Sequence, residues 1–210
     1  CELMLFKSKA VDRLGGVAQK NSVSDYMPEE QEKQSSIYMT PLSCKWKDHS
    51  FFFLDTPGYG EFVGEMICGL NGAENALIVV DGTNGLEVGS TRAWKLSREK
   101  GMPRFIFINK LDGDRAHFQK TLEQLQEAFG KTVCVPLTMP LGSGAGLKGV
   151  TAVMGAENPP AEVAEDIKKY RERLMDAIAE SNEELMTKYL DGQKLSEEET
   201  SAGLHKAILA

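Results

Sequence analysis

Two short strings in this chain could do chemistry. The first is Asn109-Lys110-Leu111-Asp112, an NKxD pattern. A carboxylate only accepts hydrogen bonds, so Asp112 suits a partner with two adjacent N–H donors. The N1 and N2 edge of guanine is such a partner. Adenine presents the opposite pattern and would leave the carboxylate unpaired, at a cost of about 1–3 kcal/mol or more. Asn109 can bond the same base and tie neighbouring loops together, and the apolar stem of Lys110 can lie along base or ribose. The second string is Asp55-Thr56-Pro57-Gly58, a DxxG pattern. Alone it is a common turn. At a strand end, its aspartate can hold Mg²⁺ through a water and its glycine amide can meet a terminal phosphate.

Both strings must be positioned by strands. Phe51-Phe52-Phe53-Leu54 is a continuous apolar run, which reads as a strand buried on both faces and ending at Asp55. Ala76–Val80 is a second such strand, closed by Asp81-Gly82, and Arg104–Ile108 is a third, ending at Asn109. Helical patterns fill residues 61–73, 87–100 and 114–129, and Val133-Cys134-Val135 reads as a fourth strand. Tyr38 to Trp46 alternates, with Asp48-His49 as its hairpin turn. This order predicts an α/β fold with a mostly parallel sheet, whose ligands sit at the carboxyl ends of the strands.

Residues 20–40 are polar and aperiodic, which reads as a long functional or disordered loop. Gly142–Gly146 reads as a flexible loop. From Pro159-Pro160, an apolar stripe through Val163, Ile167, Tyr170, Leu174, Ile178 and Leu185 predicts one long helix to about Asp191-Gly192. Ser196-Glu197-Glu198-Glu199 is a capping box for a last helix. The core is expected over 1–138 and a largely helical insertion over 139–210.

The net charge of −7 argues against broad binding to a nucleic-acid backbone. No apolar run reaches the roughly 20 residues of a membrane span. Cys1, Cys44, Cys68 and Cys134 lack any CxxC or zinc-ligand spacing and read as buried, reduced thiols.

The run from Trp46-Lys47-Asp48-His49 to Asp55-Thr56-Pro57-Gly58, then Glu61-Phe62 and Asn109–Asp112, resembles the G domain of elongation factor G. Residues 139–150 and 183–192 resemble that factor's helical insertion, which small signalling GTPases lack. The resemblance covers nearly the whole chain. It implies a P-loop NTPase-like G domain with a G′-like subdomain, GTP/GDP and Mg²⁺ as ligands, and hydrolysis coupled to ribosome translocation. It also implies a cytoplasmic monomer that acts on the ribosome. Nucleotide would be bound by Asp55, Thr56, Pro57, Gly58, Asn109, Lys110 and Asp112, with Asp55 on Mg²⁺ through water. Residues 21–44 would be the first switch and Asp55 to Gly58 part of the second.

The chain departs from that pattern in four places. The GxxxxGK[ST] loop is expected upstream of Cys1, and the later Ser-Ala motif is expected beyond Ala210. Tyr38 falls where a threonine should face Mg²⁺, with Ser35, Ser36 and Thr40 nearby. Tyr59 stands where the translocating factor has a water-orienting histidine, and a phenol is a poor base at neutral pH. Tyr59 is thus the catalytic-position residue and hydrolysis is expected to be weak, as in a paralogue of the main translocase. A ribosome-docking, nucleotide-responsive module with little turnover and a ribosomal protection factor are the alternatives.

Overall fold

The computed structural model describes residues 1–155 and 158–209. Positions 156, 157 and 210, all within the expected insertion, lie outside the described residues. The chain forms two compact units: residues 1–76 with 92–101, and residues 77–91 with 102–210.

In the first unit, a short helix α1 (Glu2–Lys7) precedes the polar segment, which itself contains α2 (Pro28–Lys33). Strands β1 (Thr40–Trp46) and β2 (His49–Asp55) pair as an antiparallel hairpin. Its turn is Lys47-Asp48, one residue earlier than the sequence suggests. Both residues have positive φ, 46° and 64°, the twist that two-residue hairpins favour. Leu5 of α1 packs with Leu42 and Cys44 of β1. Helix α3 (Val63–Gly72) lies on β2 through small residues. A side chain at Gly69 would meet the Thr56 methyl at 2.7 Å, so only glycine allows that approach.

The second unit holds β3 (Ala76–Asp81), apart from its first residue, and β4 (Arg104–Asn109), which are hydrogen-bonded neighbours. Their C-terminal ends meet, because Gly82 N–H donates to Asn109 C=O at 2.8 Å. Helix α4 (Val88–Glu99) links these strands in sequence and crosses the division between units. Helix α5 (Phe118–Phe129) follows β4. A second antiparallel hairpin, β5 (Thr138–Leu141) and β6 (Gly149–Ala152), precedes helices α6 (Ala164–Glu180), α7 (Glu183–Leu190) and α8 (Glu197–Leu209). Leu122 of α5, Met139 of β5 and Ile167, Tyr170 and Leu174 of α6 share one apolar core with Val153 and Val163. Burying each such side chain contributes about 1.5–3 kcal/mol.

The architecture is α/β as expected, but among the described residues the strands form three two-stranded sheets, two of them antiparallel, rather than the expected mostly parallel sheet. The apolar runs are also not buried on both faces. Phe52 is 81% exposed, and β3 buries Ala76, Ile78 and Val80 while exposing Leu77 and Val79. Alternation of side chains across a strand leaves one face of each hairpin or pair open. Val133–Val135 is not a strand. Cys134 N–H turns back to Gly130 C=O, and its own C=O accepts from the Gln126 side chain at 2.9 Å. The long helix breaks at Ser181-Asn182, where the Asn182 side chain accepts from Glu184 N–H and starts α7 anew. The capping box is present, with Ser196 Oγ and Glu199 Oε2 bonded reciprocally to backbone amides. Cys44 and Cys134 are buried, but Cys1 and Cys68 are exposed. Burial pushes the Cys134 thiol up to about 11, which leaves it unreactive at neutral pH.

Candidate functional site

Asn109 is the last residue of β4, and the backbone turns sharply after it. Lys110 adopts a left-handed conformation, φ 57°, uncommon for a residue with a side chain. Gly113 N–H closes the turn on Lys110 C=O at 3.1 Å, and Gly144 N–H caps Leu111 C=O at 3.0 Å. The segment read as a flexible loop is therefore a short 3-10 turn that braces the NKxD loop. A side chain at Gly82 would sit 2.8 Å from Asn109 C=O, so this crossing also requires glycine.

With the backbone bonds spent on shape, the side chains are left to act outward. Asn109 and Asp112 are exposed, and neither side chain has a hydrogen-bond partner among the described residues. An amide and a carboxylate on one rigid turn fit the donor and acceptor edge of guanine. Lys110 Nζ instead reaches Asp81 Oδ2, 2.9 Å away at the end of β3. Asp81 Oδ1 accepts from Thr83 Oγ1 at 2.5 Å and from Thr83 N–H at 2.8 Å. The Thr83 bonds, then the Lys110 ammonium, hold the Asp81 carboxyl well below the usual range, and Asp81 in turn raises Lys110.

The DxxG string lies in the other unit. Asp55 ends β2 and pairs in register with Thr40, the first residue of β1. The hairpin thus delivers the polar segment 21–40 beside Asp55. Burial raises the Asp55 carboxyl, opposed by the Ser24 hydroxyl, with Glu2 adding to the rise. Thr56 faces Gly69, and Pro57 is fully buried, so these two side chains shape the turn. Gly58 is exposed with nothing within 4 Å of where a side chain would stand, which leaves its backbone approachable. Tyr59 is 64% exposed, and its phenol has no hydrogen-bond partner among the described residues.

The polar segment, read as a long functional or disordered loop, is held in shape by its own side chains. Glu30 is fully buried, and its carboxylate accepts from Met27, Ile37 and Tyr38 N–H at 3.1, 2.9 and 3.1 Å. Glu65 of α3 accepts from Met39 N–H at 2.7 Å. Ser36 Oγ donates to buried Asp25 at 2.7 Å, and Thr40 Oγ1 to Ser24 C=O at 2.8 Å. Tyr38 is 44% exposed. Among the described residues, no group of three or more His, Cys, Asp or Glu is arranged so that it could hold a metal ion by itself. Asp55 thus fits Mg²⁺ only in the manner of phosphate-bound sites, where waters, hydroxyls and phosphate oxygens complete the shell.

Sequence reasoning missed Asp81, Thr83, Glu30 and Glu65. The signal for Asp81 was present: an Asp-Gly closing the strand before the NKxD strand. Glu30 carries no such signal, since nothing in a run of acids marks the one that is buried.

Residues 1–198 match the family described as the elongation factor Tu GTP binding domain. A crystal structure of a Thermus thermophilus protein is similar at a TM-score of 0.91 and 30% identity, over 99% of this chain and 33% of that one. The chain therefore spans about a third of the length of that relative. No helix among the described residues is long and apolar enough to cross a membrane. With its NKxD turn at the end of β4 and its DxxG turn at the end of β2, the chain belongs to the elongation factor Tu-type GTP-binding domain family of translational GTPases.

Proposed function

We propose that this chain is the nucleotide-binding domain of an elongation factor G-like protein, in which GTP hydrolysis is coupled to movement of the ribosome. The observation that carries the reading is the braced turn at 109–113, which presents Asn109 and Asp112 outward and unpaired. Asn109 and Asp112 would read guanine and Lys110 would lie along the base. Gly58 N–H would meet the terminal phosphate, and Asp55 would hold Mg²⁺ through water. Thr56 and Pro57 would set the turn from which Asp55 and Gly58 act. Mg²⁺ would supply charge neutralisation on the phosphate oxygens. The core would span 1–138 and the insertion 139–210, in a cytoplasmic monomer whose partner is the ribosome.

The test is Asp112→Asn in the full-length protein. An amide donates where the carboxylate accepted, so GTP affinity should fall about 100-fold or more while XTP affinity rises. Unchanged GTP affinity would remove Asp112 as the base reader.

Tyr59 favours a second reading, a ribosome-docking module with little turnover, because its exposed phenol is neither paired nor a competent base. Single-turnover hydrolysis with and without ribosomes separates the two. Tyr59→His should raise ribosome-stimulated turnover by about 100-fold or more, the usual worth of a positioned acid–base group. Robust turnover in the unmodified protein, with no gain from histidine, would overturn the idea that Tyr59 limits hydrolysis.

A further inference from the structure

Lys110 and Asp112 are two residues apart on one turn, and an ammonium that close could quench the carboxylate meant for the base. The structure shows Lys110 elsewhere, with its Nζ 2.9 Å from Asp81 Oδ2. From this geometry we infer that Asp81 is a positioning residue for nucleotide binding: it draws the Lys110 ammonium away from Asp112 and pre-sets the lysine stem. The inference rests on the guanine-reading role proposed for Asp112.

Four features make Asp81 suited to this. Its two oxygens are divided between tasks. Oδ1 takes the Thr83 hydroxyl and the Thr83 amide, with the Asn84 amide at 3.3 Å, which fixes the carboxylate plane. Oδ2 is then left for the lysine. The spacing is set by backbone, since Gly82 N–H bonds Asn109 C=O at 2.8 Å and locks the two strand ends together. The left-handed Lys110 aims the side chain from a fixed origin. A free lysine carries large rotamer entropy, so a stem already tethered loses less of it when a base arrives. Asp81 is mostly shielded while Lys110 is largely exposed, so the anchor is the rigid member and the lysine the adjustable one.

The experiment uses the full-length protein. Asp81→Asn keeps an oxygen acceptor for the Thr83 and Asn84 amides but offers Lys110 no anionic partner. GDP should dissociate about fivefold faster, within the range expected for one immobilised side chain. In a Lys110→Met background the same substitution should change dissociation less than about twofold, because the group it acts through is gone. Equal losses in both backgrounds, or no loss in the first, would overturn the inference. The acylation rate of Lys110 near pH 9, read by mass spectrometry, reports the pair even if dissociation is hard to measure. It should rise in Asp81→Asn, and an unchanged rate would show that Asp81 does not hold the amine. The failure of each idea is distinct. If Asp112→Asn leaves GTP affinity intact the guanine reading falls, whereas acylation and the double-variant comparison report on Asp81 alone.

Discussion

The polar segment 21–40 and the NKxD turn at 109–113 are both rich in charge, yet they use it in opposite ways. In the segment, carboxylates bond to backbone amides of their own chain. Glu30 satisfies three, Glu65 reaches in from α3 to satisfy one, and Asp25 takes a serine hydroxyl. In the turn, backbone satisfies backbone, and the side chains of Asn109 and Asp112 have no hydrogen-bond partner among the described residues. The first arrangement makes structure out of a sequence with few apolar residues. The second keeps side chains available for a ligand. A charged string is therefore functional in the direct sense only where its shape is secured by something other than its charges.

Neutralising one acid in each region puts this contrast under the most severe test. Asp112→Asn should remove about 100-fold or more of GTP affinity and leave the urea midpoint within error, since the side chain bonds nothing among the described residues. Glu30→Ala should do the reverse. Three buried or half-buried amides would lose their acceptor, each worth about 1 kcal/mol or more, so about 3 kcal/mol of stability should go. Glu30→Gln should lose less, because its oxygen still serves two amides. If Glu30→Ala unfolds as late as the parent protein, the stapled segment is not a stabilising feature. The contrast between the regions would then fail.

What could be read in the sequence follows the same division. The NKxD and DxxG strings are local, and their places at the ends of β4 and β2 followed from apolar runs that stop abruptly. The capping box at Ser196 was legible because both partners lie within one turn of helix. The order in 21–40 was not legible, because it depends on which acid is buried, and Glu29, Glu30 and Glu32 look alike as letters. The Lys110–Asp81 pair bridges two strands, and only their registration brings it together. Val133–Val135 misled because its apolar, β-branched letters suit a strand, while the backbone of Cys134 is claimed by Gly130 and Gln126. The break at Asn182 was hidden by an apolar stripe that continues in phase from α6 into α7.

A weaker effect separates two aspartates that end two strands. Asp81 is held low by hydrogen bonds and an ammonium, whereas Asp55 is raised, first of all by burial. A raised carboxyl means that the fold prefers its protonated form. Below the unfolded value of about 3.8 both states are protonated and Asp55 costs nothing. As pH rises through the higher native value, the folded state must accept a poorly solvated anion, and stability falls to a lower plateau that persists at neutral pH. Asp55→Asn should therefore match the parent protein near pH 3.5 and unfold at slightly higher urea at pH 7, while its Mg²⁺-dependent nucleotide affinity drops. For Asp81 the sign is opposite: its contribution is present above the unfolded value and is lost as pH falls through the depressed native one, so Asp81→Ala should destabilise at pH 7. A neutral-pH loss of stability in Asp55→Asn would mean that the carboxylate is holding the hairpin end together. The burial of Asp55 is then structural, and the stability retained at neutral pH is not being given up for a metal.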